Sequence, residues 1–274
     1  MRIGIGKALE HKTPEEWAKR HYELGCRSAL FPVNSDASDE LIDAYIQAAA
    51  KYDLKISEVG IWKNAISPDA REREEAMEYS IRQLKLADRV GAECCVNLAG
   101  ALGPLRNKGY AENFSRKAWN LTVRMIQEVI DEAKPQHTFF VLEPMPWMYP
   151  SSPEEYMDLI EAVGRDQFAA HLDVINMINC PQRYFFQEQF VEHCFEVLGA
   201  YIKGCHVKDI WLRPDLTFQL KECACGEGTF CLERYAELAN ALNPDIAMTI
   251  EHLNSDQEYL DSLAYVQKRL AAYL

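Results

Sequence analysis

The sequence lacks a signal peptide pattern, a membrane-length hydrophobic run and a basic cluster. Its first residues, Met1-Arg2-Ile3-Gly4-Ile5-Gly6, predict a strand and not the charged-then-apolar pattern of a secretory signal. No apolar stretch approaches the roughly 18 residues of a membrane span. The formal net charge is −13, so a polyanion would be repelled on average. We therefore expect a cytoplasmic protein that binds neither a membrane nor nucleic acid.

Regular cysteine pairs are also missing. Nine cysteines are an odd number, and without an export signal they are expected to be reduced thiols. Cys223-Ala224-Cys225 followed by Cys231 comes nearest to a zinc site, but the spacing is not Cys-x2-Cys and no second pair exists. With 48% hydrophobic and 26% charged residues, the composition predicts a well-packed globular chain.

Eight short apolar runs alternate with amphipathic segments along the chain. Such runs are typical of parallel strands that are covered on both faces. Eight βα units in 274 residues favour a closed barrel over an open sheet. We therefore predict one (β/α)8 TIM barrel domain over residues 1–274. Its predicted strands are Arg2–Ala8, Ser28–Val33, Lys55–Ile61, Glu93–Ala99, Thr138–Pro144, Phe168–Val174, Ile202–Lys208 and Ile246–His252.

Polar residues end four successive strands of this predicted barrel. They are Glu143, Asp173, His206 and Glu251. In such barrels the active site lies at the carboxyl ends of the strands. Three carboxylates buried together would repel one another unless a cation joined them. Each residue alone also suits a loop or a structural role, but the set predicts a site for one divalent ion, with Mn²⁺ favoured over Mg²⁺, Co²⁺ or Zn²⁺.

These strand ends resemble those of the xylose isomerase-like barrel superfamily, and most closely its sugar phosphate isomerase/epimerase group. The resemblance covers essentially the whole chain, and the similar segments are Glu58-Val59-Gly60, Cys94-Cys95-Val96-Asn97, Glu143-Pro144-Met145-Pro146-Trp147, His171-Leu172-Asp173, Lys203-Gly204-Cys205-His206-Val207-Lys208-Asp209 and Ile250-Glu251-His252.

The resemblance implies a metal-dependent ketose isomerase or epimerase. Glu143, Asp173, His206 and Glu251 would bind the ion, which stabilises an enediolate. Glu143 and Glu251 would be the catalytic pair, one removing a proton alpha to a carbonyl and the other returning it from the opposite face.

The sequence departs from the ketose 3-epimerase pattern at three positions. Asn176 replaces a histidine, Tyr149 replaces a second glutamate, and Arg213 lies one residue away from the expected arginine. An alternative is therefore a metal-dependent lyase or dehydratase that acts on a keto-sugar, a keto-glycoside or an inosose. The small number of histidines and the negative charge oppose an endonuclease IV-like nuclease. The retained glutamate pair opposes a non-enzymatic binding protein.

Other residues near strand ends are candidates to bind a small sugar or keto-sugar. They are Lys208, Asn176, Arg213, Trp62, Trp147, Glu58, His171 and Asn97. Structural roles compete with these: an ion pair with a barrel acid for Lys208, packing under loops for the tryptophans, and a pair with Lys7 for Glu58. His252 is expected on the opposite side of its strand from Glu251.

The connection after the seventh strand, Trp211–Thr229, is the longest irregular segment in this prediction, and it is expected to cover the site. No glycine-rich phosphate cradle follows the last two strands, which argues against a phosphorylated substrate. The sequence is compatible with a homo-oligomer.

Overall fold

The computed structural model describes residues 1–274, and a sheet of eight parallel strands lies at its centre. These strands are β1 (Arg2–Ile5), β2 (Ser28–Leu30), β3 (Lys55–Gly60), β4 (Cys94–Asn97), β5 (Phe139–Leu142), β6 (Phe168–Leu172), β7 (Ile202–Val207) and β10 (Ala247–Ile250). The strands follow one another in the order β1, β10, β7, β6, β5, β4, β3, β2. The backbone N–H of Arg27 donates to the carbonyl of Ile3 at 2.8 Å, which joins β2 to β1. The predicted (β/α)8 barrel is confirmed.

Helices surround the sheet. They are α1 (Pro14–Glu23), α2 (Asp39–Lys51), α3 (Ala70–Val90), α4 (Arg116–Ala133), α5 (Pro153–Val163), α6 (Val174–Met177), α7 (Pro181–Phe185), α8 (Gln187–Leu198), α9 (Leu232–Leu242) and α10 (Asp256–Arg269). Side chains cap many of their first turns; the Thr13 hydroxyl, for example, accepts from the N–H of Glu16. None of the helices combines the length and hydrophobicity that crossing a membrane requires.

Apolar packing is divided into two unequal regions. A large cluster of buried side chains includes the apolar faces of the helices and most of the strands. A separate cluster consists of Cys94, Val96, Val141 and Ala169 on three adjacent strands. Alternate residues of a strand share one side of the sheet. Glu143 is two residues after Val141, and His171 is two residues after Ala169. Each therefore faces the same side of its strand as the small cluster, toward the carboxyl end of the barrel lumen.

The connection after β7 is more regular than the sequence prediction. It contains an antiparallel hairpin of β8 (Asp209–Leu212) and β9 (Leu220–Cys223), so the prediction of an irregular segment over Trp211–Thr229 was wrong. A chain that turns back on itself can pair its own backbone groups, and this satisfies donors and acceptors that an open loop would expose.

The base of this hairpin connection is held by one buried carboxylate. Asp209 Oδ1 accepts the backbone N–H groups of Ile210 at 2.8 Å and Phe230 at 2.9 Å. Its Oδ2 accepts those of Gly226 and Gly228, both at 3.0 Å. A Cβ atom at Gly228 would lie 2.2 Å from Asp209 Oδ1, so glycine is needed there. Asp209 therefore ties the two ends of the connection together.

Replacing Asp209 with Ala is expected to destabilise the protein by at least about 2 kcal/mol, because four backbone donors lose a charged acceptor. Urea denaturation measures the loss, and hydrogen exchange should accelerate at Gly226, Gly228 and Phe230. Asp215→Ala is the matched control, since Asp215 lies in the hairpin turn and pairs only with Arg213. Equal stability and unchanged exchange in the two variants would contradict the role of Asp209.

Candidate metal centre

The four predicted ligands meet at the carboxyl end of the barrel. Glu143 follows β5, Asp173 follows β6, His206 lies in β7 and Glu251 follows β10. All four are buried, and one donor atom from each lies within 4.8 Å of the others. His206 Nδ1 is 2.9 Å from a Glu251 oxygen, 3.6 Å from one of Glu143 and 3.7 Å from one of Asp173. The structure thus brings together all four residues that the strand ends indicated.

The donor atoms fit a divalent cation. Asp173 Oδ1 accepts the N–H of Asn176 at the start of α6, which leaves Oδ2 facing the centre. Glu143 Oε2 is buried and has no hydrogen-bond partner, whereas Asp173 Oδ2 and His206 Nδ1 have only the ionic contacts of the cluster itself. Buried polar atoms without partners are uncommon and costly. Three carboxylates and one imidazole suit Mn²⁺, Mg²⁺, Co²⁺ and Zn²⁺, and the donor set alone does not choose among them.

Lys208 lies among the same carboxylates. Its side chain is 0% exposed, and its Nζ is 2.6 Å from Asp173 Oδ2 and 2.8 Å from Glu251 Oε1. Both contacts are ion pairs, and in the second the ammonium group also donates a hydrogen bond to Glu251 Oε1. Lys208 stands two residues after His206 and therefore faces the same side of the chain. Of the two roles weighed for Lys208, the geometry shows the ion pair with barrel acids.

These contacts shift the pKa values of the cluster in different directions. Burial and the charge of Glu251 raise the pKa of Glu143 to about 7. Burial disfavours the charged form of His206, but Glu251 and Glu58 hold its pKa well above the ordinary value. Burial would raise the pKa of Glu251, but His206 and Lys208 keep it well below the ordinary value. Without an ion, His206 is therefore protonated and Glu143 titrates near neutral pH.

Binding of Mn²⁺ is expected to release protons and to strengthen from pH 6 to pH 8. The raised pKa values of His206 and Glu143 mean that protons must leave before these atoms can bind an ion. The Kd should fall by about tenfold per pH unit for each displaced proton while that group is still protonated, so the contribution of Glu143 levels off above pH 7. Titration calorimetry in two buffers with different protonation enthalpies counts the protons. A pH-independent Kd without proton release would contradict this protonation state.

A cavity of about 640 Å³ opens beside the centre. Of the residues predicted to bind substrate, Trp62, Trp147 and Asn176 line it, together with the ligand Glu143. Asn176 Nδ2 donates to Glu143 Oε1 at 2.9 Å. The asparagine that replaces the expected histidine is therefore positioned to orient Glu143.

The remaining predicted substrate residues do not line this cavity. Arg213 forms an ion pair with Asp215 at 2.9 Å in the hairpin turn. Asn97 is buried, and its Oδ1 accepts the N–H of Lys63 at 3.1 Å, which holds the segment after β3. Neither Arg213 nor Asn97 lines the cavity in this structure, and substrate binding by these residues stays a prediction.

Glu58 and His171 lie beneath the four ligands. Of the two roles considered for Glu58, the pair with Lys7 is wrong, because Lys7 pairs with Asp256 and Glu58 lies 3.1 Å from His171 Nε2. Burial disfavours ionised Glu58, but the nearby His206 and His171 hold its pKa below the ordinary value.

Sequence reasoning misplaced His252 and missed Glu222. His252 lines the cavity, with Nδ1 3.0 Å from Lys208 Nζ and 3.2 Å from Glu222 Oε2. The strand ends at Ile250, and His252 has a left-handed backbone with φ of 59°, so strand alternation no longer applies there. Glu222 reaches Lys208 from β9, in a segment whose hairpin the sequence did not reveal.

Comparisons with solved structures show the same fold over nearly the entire chain. A xylose isomerase-like TIM barrel protein from Mycobacterium smegmatis in complex with magnesium is 17% identical, with a TM-score of 0.72 over 100% of this chain and 97% of that one. The 3-keto-D-glucoside 4-epimerase from E. coli is 16% identical, with a TM-score of 0.70 over 98% and 99%. The probable 3-DHS dehydratase from Bacillus anthracis is 15% identical, with a TM-score of 0.73 over 97% and 98%.

At these identities, structural similarity establishes the fold and leaves the reaction open. A comparison with curated proteins gives no significant match. The model of the xylose isomerase-like TIM barrel family, in contrast, matches residues 20–269. The chain therefore belongs to the xylose isomerase-like TIM barrel family.

Proposed function

We propose that this protein is a divalent-metal-dependent isomerase or epimerase of sugars or keto-sugars, with Mn²⁺ as the favoured ion. The proposal is carried by one observation: three buried carboxylates and an imidazole converge beside a cavity of about 640 Å³. Family membership and the epimerase among the structural neighbours are in keeping with it. A bound divalent ion would polarise a substrate carbonyl and stabilise an enediolate.

The chain's own residues are arranged to move a proton next to that carbonyl. Glu143 lines the cavity, and Asn176 binds its Oε1, so that Oε2 has no partner within the protein. On the other side of the cluster, Lys208 donates to Glu251 Oε1 at 2.8 Å and fixes that carboxylate. In the proposed reaction one glutamate removes the proton alpha to the carbonyl, and the other returns it. Each such acid or base typically contributes about 10²–10⁴-fold to the rate.

Elimination from a keto-glycoside or an inosose is the second candidate, and the size of the cavity favours it. Pockets of about 300–1,000 Å³ hold drug-sized ligands, so 640 Å³ leaves room beyond one sugar ring. About half of the lining residues are hydrophobic, and Trp62, Trp147 and Phe218 are among them. Such walls suit a substituent attached to the sugar. A leaving group beside the abstracted proton turns the same first step into elimination.

Deuterium exchange separates these outcomes. The protein is stripped with a chelator, reloaded with Mn²⁺ and incubated in D₂O with ketoses, inososes and 3-keto-glycosides. Deuterium at the carbon alpha to the carbonyl, with an inverted or isomerised product, supports the first proposal. An unsaturated keto product supports elimination. Absence of both deuterium exchange and an unsaturated product with every compound, despite bound Mn²⁺, would overturn both candidates.

A further inference from the structure

A second polar layer lies directly beneath the metal centre. Glu58 on β3, His171 on β6 and His206 on β7 are each only 2% exposed. Glu58 Oε2 lies 3.1 Å from His171 Nε2 and 3.5 Å from His206 Nε2. Strands β3 and β7 are opposite each other in the barrel, with three strands between them on either side. Glu58 therefore extends across the lumen to Nε2 of His206, the ring nitrogen that faces away from the other candidate ligands.

The lumen has space for this layer because of one glycine. Gly204 stands two residues before His206, on the same side of β7. A Cβ atom at Gly204 would lie 3.1 Å from His171 Nε2, which is closer than ordinary packing. The rings of His171 and His206 pack with their centroids 4.0 Å apart. A side chain at position 204 would push His171 away from Glu58 and from His206.

The two nitrogens of His206 face different surroundings. Nδ1 faces oxygens of Glu143, Asp173 and Glu251, whereas Nε2 faces Glu58. An imidazole that binds a metal through one nitrogen keeps its proton on the other, and that N–H usually donates to an acceptor that sets the tautomer and ring orientation. At 3.5 Å the Nε2–Oε2 separation is long for such a bond, but Nε2 is buried and has no other hydrogen-bond partner.

We propose that Glu58 is a positioning residue that keeps the proton of His206 on Nε2, so that Nδ1 offers its lone pair to the ion, and that His171 holds Glu58 in place. This inference rests on the metal centre of the proposed function. Glu58 does not line the cavity, which separates this role from substrate binding.

The same three residues form a possible ligand set of their own. A second ion there would require His206 to bind through Nε2 while Nδ1 binds the first ion. That arrangement needs a fully deprotonated imidazole, which is uncommon, whereas donation from Nε2–H to Glu58 needs only the neutral ring. The number of ions per chain distinguishes the two arrangements.

Calorimetric titration with Mn²⁺ tests the proposal on the wild type, Glu58→Leu and Glu58→Gln. Glu58→Leu is expected to raise the Kd by about 10–100-fold. Glu58→Gln is expected to raise it less, because its amide oxygen still accepts a hydrogen bond, and its matching shape protects the fold if Glu58→Leu is unstable. Cys94→Ala is the matched control. Cys94 is buried on β4 and is the residue paired with Glu58 of β3, but it offers no carboxylate to His206. Its replacement should leave the Kd unchanged.

Nitrogen-15 NMR of histidine in the Zn²⁺-loaded protein supplies a second readout. In the wild type, His206 should show a metal-bound Nδ1 and a protonated Nε2, and Glu58→Leu should lose this signature. Folded Glu58 variants with wild-type affinity would overturn the inference alone. Two ions per wild-type chain would overturn it in favour of Glu58 as a ligand. A wild type that binds no Mn²⁺ would overturn the proposed metal centre itself, and the role of Glu58 with it.

Discussion

Replacing Glu251 with Gln is expected to lower kcat by about 10²–10⁴-fold, the contribution of a well-placed acid or base. The amide matches the size of the carboxylate and keeps an oxygen for Lys208, but it loses both the negative charge and the ability to accept a proton. Because Glu251 is also one of four candidate ligands, Mn²⁺ affinity should fall in the same variant. Steady-state kinetics on the substrate found by deuterium exchange, together with calorimetry, measures both effects.

Glu93→Gln is the matched control for this experiment. The substitution is the same, but Glu93 directly precedes β4, far from the carboxyl ends of the strands. There its carboxylate pairs with Lys55 at 2.8 Å. Its kcat and Mn²⁺ affinity should equal those of the wild type. Turnover by Glu251→Gln at the wild-type rate would remove Glu251 from the proposed mechanism.

Replacing Lys208 with Met is expected to destabilise the metal-free protein by about 3–5 kcal/mol, the usual cost of leaving buried charges without their partner. Asp173 and Glu251 would lose the ammonium group that lies 2.6 and 2.8 Å from them. Mn²⁺ supplies the missing positive charge and no longer competes with the ammonium group for the carboxylates. The variant should therefore bind Mn²⁺ more tightly than the wild type and regain stability when loaded.

Urea denaturation with EDTA and with Mn²⁺ separates these opposing effects. Lys203→Met is the matched control, since Lys203 lies on the same strand but donates to the carbonyl of Ala200 near the surface. It should change neither metal-free stability nor Mn²⁺ affinity by much. If Lys208→Met bound Mn²⁺ more weakly and kept its metal-free stability, Lys208 would not be the counter-charge of the cluster.

The barrel and the convergence of four polar side chains at one end of it were predictable because both follow from strand periodicity. Parallel strands that are buried on both faces leave continuous apolar runs in the sequence, and a barrel directs all their carboxyl ends to one face. Polar residues at those ends, Glu143 and Asp173 among them, therefore converge whatever the details of the loops. The observed strands are shorter than predicted, and each lies within its predicted range.

The rest of the site depends on geometry that periodicity does not encode. His252 enters the cavity through a left-handed backbone, and Glu222 enters through a hairpin that pairs only with itself. Lys208 could be assigned to the correct side of its strand, but whether it met substrate or carboxylates depended on distances across the lumen. Arg213 pairs with Asp215 in the turn of the hairpin, and its predicted role in substrate binding stays a prediction.

The hydrogen bonds that Asp209 accepts at the base of the hairpin connection have an evolutionary consequence. The neighbouring residues Lys208 and Asp209 serve opposite sides of the chain: one enters the cluster of carboxylates, and the other anchors the base of the hairpin connection. The turn between β8 and β9, residues 213–219, lies beyond that anchor, and its Phe218 lines the cavity. Mutations in the turn can therefore reshape this wall of the cavity while the four candidate ligands stay fixed, so that under the proposed function new substrate preferences can arise without a change in the reaction.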